Sequence, residues 1–324
     1  MKPISALASV LALTLAMAPP AGAQTYPDRP VTMIVGASPG GSTDVSARLL
    51  ADPLSKVLGK PVVVENKAGA SGNIAATQVA RAKPDGHTLL MQYSGYHVGN
   101  PHLFGKMPWE LKDFAPVAVV TFSPHIFAVH PGVKANDLRE LADLAKASPG
   151  EIKYGTAGNG SIHHLATELF AQMTGTKLVH VPYKGAAPAV SDLLGGRIEI
   201  VNTTPPSLVA HVRAGKLKAL AYTSDKRHPL LADIPTSAEA GLPGYEVASW
   251  FGVLAPAKTP PAVVERLSSE IRKIVESDEF KRKVEEQGGL AVYRGPDDFK
   301  ALIDREFDYW GKLIQTAGIK ADEP

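Results

Sequence analysis

Two short stretches hold the residues whose types and spacing could do chemistry. The first is Gly36-Ala-Ser-Pro-Gly-Gly-Ser-Thr-Asp44; the second is Thr156-Ala-Gly-Asn-Gly-Ser161, with His163 and His164 just beyond. A glycine-rich turn leading from a strand end into a helix start points unpaired main-chain N–H groups and the positive end of a helix dipole at one spot. The chemistry this allows is capture of an anion, a carboxylate or a phosphate, without a buried countercharge. A plainer reading is structural, because any strand-to-helix connection gains from glycine and from a Ser, Thr, Asn or Asp cap. Two such turns in one chain, each with more small polar residues than one cap needs, favour a ligand held between two lobes.

Other chemistries fit these residues less well. Ser161 with His163 or His164 would make a nucleophile and base, so an exported hydrolase is the alternative function. Against it, Gly-Asn-Gly-Ser161 is not the Gly-x-Ser-x-Gly elbow and no oxyanion partner is indicated. His163 and His164 are adjacent, point about 100° apart on a helix and cannot chelate one metal ion together. Gly158-x-Gly160 lacks the third glycine of a dinucleotide fingerprint, because His163 stands in its place. No metal and no cofactor is expected.

The flanking runs must position these turns. Val31–Val35 reads as a buried strand before the first, and Val45, Leu49, Leu50, Leu54 and Leu58 recur at helical spacing after it, ended by Gly59 and Pro61. Ile152–Gly155 and Ile162–Met173 repeat the arrangement around the second. Strand-like runs at Val62–Glu65, Thr88–Met91, Lys177–Val181, Val190–Leu194, Ile198–Val201 and Leu217–Ala221 alternate with helical ones, including Ile74–Ala82. That rhythm predicts mostly parallel sheets covered by helices, with ligands beyond the carboxyl ends of strands. Two extended runs follow one another between Pro116 and Pro131, as where a chain leaves one lobe for another; a return is expected near Tyr222-Thr-Ser224. A strand at Trp250–Leu254 and helices over Pro260–Glu276, Asp278–Gln287 and Pro296–Ala317 complete the chain.

Composition narrows the class. Lys2, the apolar run Ile4–Met17 and Ala21-Gly-Ala23 form an export signal, predicted to be cleaved near Ala23 so that the mature chain starts near Gln24. The 324 residues contain no Cys, so neither thiol catalysis nor a lipid-bearing N-terminal cysteine is available, and a core of this size needs no disulfide. The formal charge of +2 is spread along the chain and argues against a nucleic-acid partner. A soluble periplasmic monomer is expected.

Six motifs in order then point to a family. They are Pro39-Gly-Gly-x-x-Asp44, Val64-Glu-Asn-Lys-Ala-Gly69, Pro84-Asp-Gly-His-Thr-Leu89, His180-Val-Pro-Tyr-Lys-Gly185, Ala214-Gly-Lys-Leu-Lys-Ala-Leu220 and Pro235-Thr-Ser-Ala-Glu-Ala-Gly241. The chain resembles the Bug family of extracytoplasmic solute receptors, the binding proteins of tripartite tricarboxylate transporters, from Tyr26 to the last helix. The resemblance implies an α/β, two-lobed periplasmic binding protein, type II-like, that closes as a Venus flytrap on a small carboxylate. The implied ligand is a di- or tricarboxylate or an aromatic acid, and the implied partners are membrane permease subunits. Lobe 1 would comprise residues 24–122 and 225–324, and lobe 2 residues 123–224.

Carried over by position, Ser38, Gly40, Gly41, Thr43, Asp44 and Ser94 would build the first lobe's share of the pocket. Gly158, Asn159, Ser161 and His164 would build the second, although Asn159 or Ser161 could serve only as a helix cap. Many relatives have an acidic residue in the strand equivalent to Ile198–Thr204. This chain has Asn202 and Thr203 there, which weakens the case for an amino-acid ligand and leaves a neutral hydrogen-bonding site. Tyr183-Lys184 reads as a loop or pocket rim, Trp250-Phe251 as core, and Trp109 as packed beneath a loop.

Overall fold

The computed structural model describes residues 26–319; the export signal lies outside the described residues. In chain order, β1 (Val31–Val35) leads to α1 (Ser42–Leu58), β2 (Val62–Asn66) to α2 (Asn73–Ala80), and β3 (Thr88–Tyr93) to a short α3 (Asn100–Leu103). β4 (Phe114–Pro124) and β5 (Ile126–Val129) follow directly, then α4 (Leu138–Ala147), β6 (Lys153–Thr156), α5 (Ile162–Thr174), β7 (Val179–Pro182) and α6 (Ala186–Leu194). β8 (Ile200–Thr203), α7 (Val209–Arg213), β9 (Lys218–Tyr222) and β10 (Ala248–Pro256) precede α8 (Pro261–Val275), α9 (Asp278–Glu286), β11 (Leu290–Arg294) and α10 (Pro296–Ala317).

The strands form two sheets, β11-β4-β10-β3-β1-β2 and β7-β6-β8-β5-β9, and helices pack on them to make a two-lobed α/β fold. The chain passes from the first sheet to the second between β4 and β5 and returns between β9 and β10. Each sheet is mixed, where the alternating rhythm predicted mostly parallel pairing. β1 pairs in parallel with β2 and β3, and β6 with β7 and β8; the other pairs are antiparallel. The reason is the crossing itself. βαβ units generate the parallel halves, whereas β4, β5, β9 and β10 enter or leave a sheet without a helical crossover beside them. Both glycine-rich turns lie at the carboxyl ends of the parallel halves.

Burial follows the apolar spacing. α1 turns Ala47, Leu50, Ala51, Leu54 and Leu58 inward and ends on Gly59 in the left-handed conformation, where glycine alone is unstrained. Val190–Leu194, read as a strand, is instead the second half of α6, with Ala186, Ala189, Val190 and Leu193 buried. A short apolar run does not by itself distinguish a strand from a buried helix segment; Gly185 before the run and Gly195-Gly196 after it bracket a helix. β11 has no counterpart in the sequence reading. It is a half-buried edge strand with weak alternation.

Candidate functional site

A small pocket lies between the two sheets. The β1–α1 turn contributes Ala37, Ser38, Gly41, Ser42 and Thr43; Tyr93, Tyr96 and Phe251 form an aromatic wall; Ala157, His163, Gly185, Ala186 and Ala187 close the far side. Two helices begin at this pocket. α1 starts after Gly41 and α6 after Gly185, and no side chain caps either start. Their first-turn N–H groups have no partner in the helical ladder, so the amides of Ser42, Thr43, Ala186 and Ala187 border the pocket with donors to offer. Pro188 fills the third place of α6, where it has no N–H to leave unpaired. No Lys or Arg lines the pocket.

The lobes meet around this space. Ser38 donates to the Lys184 carbonyl at 2.8 Å and Tyr96 to the Ala157 carbonyl at 2.9 Å. Ser42 bonds the hydroxyls of Thr204 and, at 3.1 Å, Ser207, while Ser71 reaches the Asn159 carbonyl at 3.4 Å. Gly185 has φ +118, a conformation L side chains rarely adopt, and a Cβ there would be in contact with Ser38 Oγ at 3.6 Å.

The start of α5 is arranged differently. Ser161 accepts from the His164 amide at 3.3 Å and donates to the Gly158 carbonyl at 2.7 Å. The Gly160 amide donates to His164 Nδ1 at 3.1 Å, and the Gly158 amide donates to Thr156 Oγ1 at 3.2 Å. His164 stacks on His180 with ring centroids 3.8 Å apart; burial, then the neighbouring His180, push its pKa down to about 3. The turn is therefore occupied by its own groups. No hydrogen bond joins Ser161 Oγ to the ring of His163 or His164 among the described residues.

Comparison with known proteins agrees with this architecture. The family model described as tripartite tricarboxylate transporter family receptor, TctC, matches residues 46–319. The chain belongs to this family. It is 38% identical over 317 residues to protein BugT of Bordetella pertussis, covering 97% of each chain. Its fold is similar to that of R. palustris Rpa4515 with adipate, with a TM-score of 0.89 and 38% identity over 92% of this chain and all (100%) of that one. MatC from Rhodopseudomonas palustris with bound malate is similar at a TM-score of 0.84 and 32% identity, covering 89% of this chain and 100% of that one. TctC-family proteins are solute-binding receptors of the periplasmic type.

Within this TctC-family receptor, the residues singled out by sequence fall into three groups. Ser38, Gly41 and Thr43 line the pocket. Gly40 and Asp44 shape the turn beside it: Gly40, at φ +78, donates its amide to Asp44 Oδ2 at 2.9 Å. Asp44 also accepts from Arg48 and Asn66. Burial would raise its pKa, but the bonds from Arg48, Gly40 and Asn66 prevail and hold it below the ordinary carboxylate range. Ser94 is buried and accepts from the Trp250 amide at 3.4 Å. Gly158, Asn159, Ser161 and His164 belong to the α5 turn.

Asn202 and Thr203 sit behind the pocket. Asn202 donates to Tyr245 at 2.6 Å and lies 3.2 Å from His125 Nδ1, while Thr203 Oγ1 is 2.9 Å from His163 Nε2. Asn202 is therefore a neutral link in a buried network, continued by His125 Nε2 and Ser249 Oγ at 2.8 Å. Burial pushes His125 down to about 3. Tyr93, Tyr96, Phe251, His163 and the Gly185-Ala-Ala187 start were not singled out as pocket residues. Phe251 was read as core and Tyr183-Lys184 as a possible rim. A signal for the last was present, because Lys184-Gly185 precedes a helical run of small residues.

Proposed function

We propose that this receptor captures a small carboxylate, a di- or tricarboxylate or an aromatic acid, between its two lobes and delivers it to the permease subunits of a tripartite tricarboxylate-type transporter. It acts in the periplasm as a monomer after cleavage near Ala23, without a cofactor and without turnover. Lobe 1 is residues 24–122 with 225–324, and lobe 2 is residues 123–224. The observation that carries this reading is the pair of uncapped helix starts, α1 and α6, at one aromatic-walled pocket without Lys or Arg. Such starts favour an anion by roughly 0.3–2 kcal/mol each. The adipate and malate bound by two relatives are ligands of this chemistry. Ligand contacts that span both lobes favour the closed arrangement to the extent that they exist only there.

A thermal-shift and calorimetric screen of the mature protein against a carboxylate panel tests the proposal. A hit should bind one to one, be recovered unchanged, and at a hundred times its Kd stabilise the fold by about 2.7 kcal/mol. Absence of any carboxylate hit would overturn the ligand class; consumption of the ligand would overturn the receptor reading in favour of the Ser161 hydrolase.

A further inference from the structure

One corner of the pocket contains two polar groups that the protein itself leaves unsatisfied. His163 lines the pocket, is 4% exposed and places Nε2 2.9 Å from Thr203 Oγ1; its Nδ1 has no hydrogen-bond partner among the described residues. The Tyr93 ring lies 5.5 Å away, centroid to centroid. Its hydroxyl faces Ser249 and the amides of His163 and Ile162, yet completes no hydrogen bond with a protein atom among the described residues. Buried polar groups are normally paired, as His125 is with Asn202 and Ser249, Asn202 with Tyr245, and His164 with Gly160; Gln92 Nε2 and Ser123 Oγ lack partners too, but neither residue lines the pocket.

We propose that His163 Nδ1 and the Tyr93 hydroxyl form a second polar subsite, which receives an oxygen at the far end of the ligand and makes the receptor select bifunctional acids over monocarboxylates. The proposal rests on the reading above, in which the first carboxylate sits at the α1 and α6 starts. Between these ends the pocket wall is aromatic, with Tyr93 stacked on Phe251 at 5.7 Å and edge-on to Tyr96 at 5.0 Å. That suits a short methylene chain. The groups that face the imidazole are Thr203 of β8, Tyr93 of β3 and His125 at the β4–β5 crossing. None is an acid that would hold an imidazolium, so a neutral ring offers one directional hydrogen bond. A neutral imidazole and a phenol can each donate or accept, which accommodates a carboxylate or a hydroxyl.

The test is calorimetry with α,ω-diacids from malonate to suberate and the monoacids of matching chain length, on wild type, His163→Leu and Tyr93→Phe. Wild type should bind its best diacid at least about tenfold more tightly than the matching monoacid. His163→Leu and Tyr93→Phe should each shrink that margin, bringing the diacid-to-monoacid affinity ratio towards one. On ligand addition to labelled wild type, the imidazole ¹⁵N resonance of His163 Nδ1 should shift with the diacid and stay in place with the monoacid, a readout that needs no variant to fold. Equal affinity for diacid and monoacid, or an imidazole that responds to neither, overturns this subsite and leaves the carboxylate reading standing. Failure of wild type to bind any acid overturns both.

Discussion

The starts of α5 and α6 stand side by side at the same pocket, and they differ in the opposite sense to their glycine content. The turn before α5 holds Gly158 and Gly160, at φ +121 and +70, with Asn159 and Ser161. Its polar groups bond one another, and the Tyr93 hydroxyl faces two of the amides left over. The start of α6 has Gly185 followed by Ala186, Ala187 and Pro188, and no side chain to cap it. Glycines at positive φ mark a turn whose path L-residues would strain. Small polar side chains mark a helix end that satisfies itself. A free anion site needs the absence of such side chains, and alanines supply that.

Substitutions at the two starts should therefore separate binding from stability. The largest effect is expected from Ala186→Asp, which places a carboxylate where the ligand's would sit. Like-charge opposition of this kind costs several kcal/mol, so affinity should fall by about 100-fold or more. Ala186 is buried, so the added carboxylate should also lower the melting temperature, a cost that its place in the first helical turn only partly offsets. Titration calorimetry beside a melting curve reads both, and an unchanged affinity would remove α6 from the site.

Gly41→Val probes the partner start on α1. Gly41 has φ −75 and ψ 163, an extended conformation open to any residue, so the backbone itself would not be strained. A Cβ there would stand 3.3 Å from the Ser38 carbonyl oxygen, and the branched side chain would crowd the pocket. Affinity should drop about tenfold; if binding survives while stability collapses, Gly41 matters to the turn and not to the ligand.

Ser161→Ala makes the converse case. The hydroxyl caps α5 and bonds Gly158, so its loss should cost about 1 kcal/mol of stability. Ligand affinity should stay within about twofold. A large loss of affinity without loss of stability would return α5 to the centre of the site.

The smallest effect concerns the wall behind the pocket. Glu306, on α10, accepts from Trp250 Nε1 at 2.7 Å, next to the pocket residue Phe251. Burial raises its pKa from 4.5 to about 7 against the opposing pull of Trp250 and nearby arginines. A carboxyl whose folded pKa is raised contributes stability that is present below its unfolded pKa and lost as pH rises through the folded value. The protein should thus lose some stability between pH 4.5 and about 7, and Glu306→Gln should flatten that slope. Melting curves across the window test it; an unaltered slope in the variant would assign the dependence elsewhere.

The sequence made the two-lobed frame legible because β-branched runs, helical spacing and six ordered motifs all agreed on it. It also marked Ser38, Gly41 and Thr43, which line the pocket, because a Gly-Gly turn joins the strand to the helix there. Ser161 and His164 look the same on paper whether they face a ligand or their own backbone, and in the structure both bond within their own turn. Phe251 was hidden because an aromatic in an apolar strand reads as core until register shows which face it occupies. Val190 and Leu193 were misread because a five-residue run with apolar ends, Val190–Leu194, suits a strand and a buried helix alike.

The most direct test of the central claim, that neutral donors at the α1 and α6 starts hold an anionic carboxylate, compares the best acid ligand with its methyl ester at fixed salt by titration calorimetry. Esterification removes the charge and leaves the rest of the molecule in place. The account predicts one-to-one binding of the acid and a loss of at least about tenfold for the ester, with the same loss absent in Ala186→Asp, where the acid already binds weakly. Equal binding of acid and ester by the wild-type protein would contradict it.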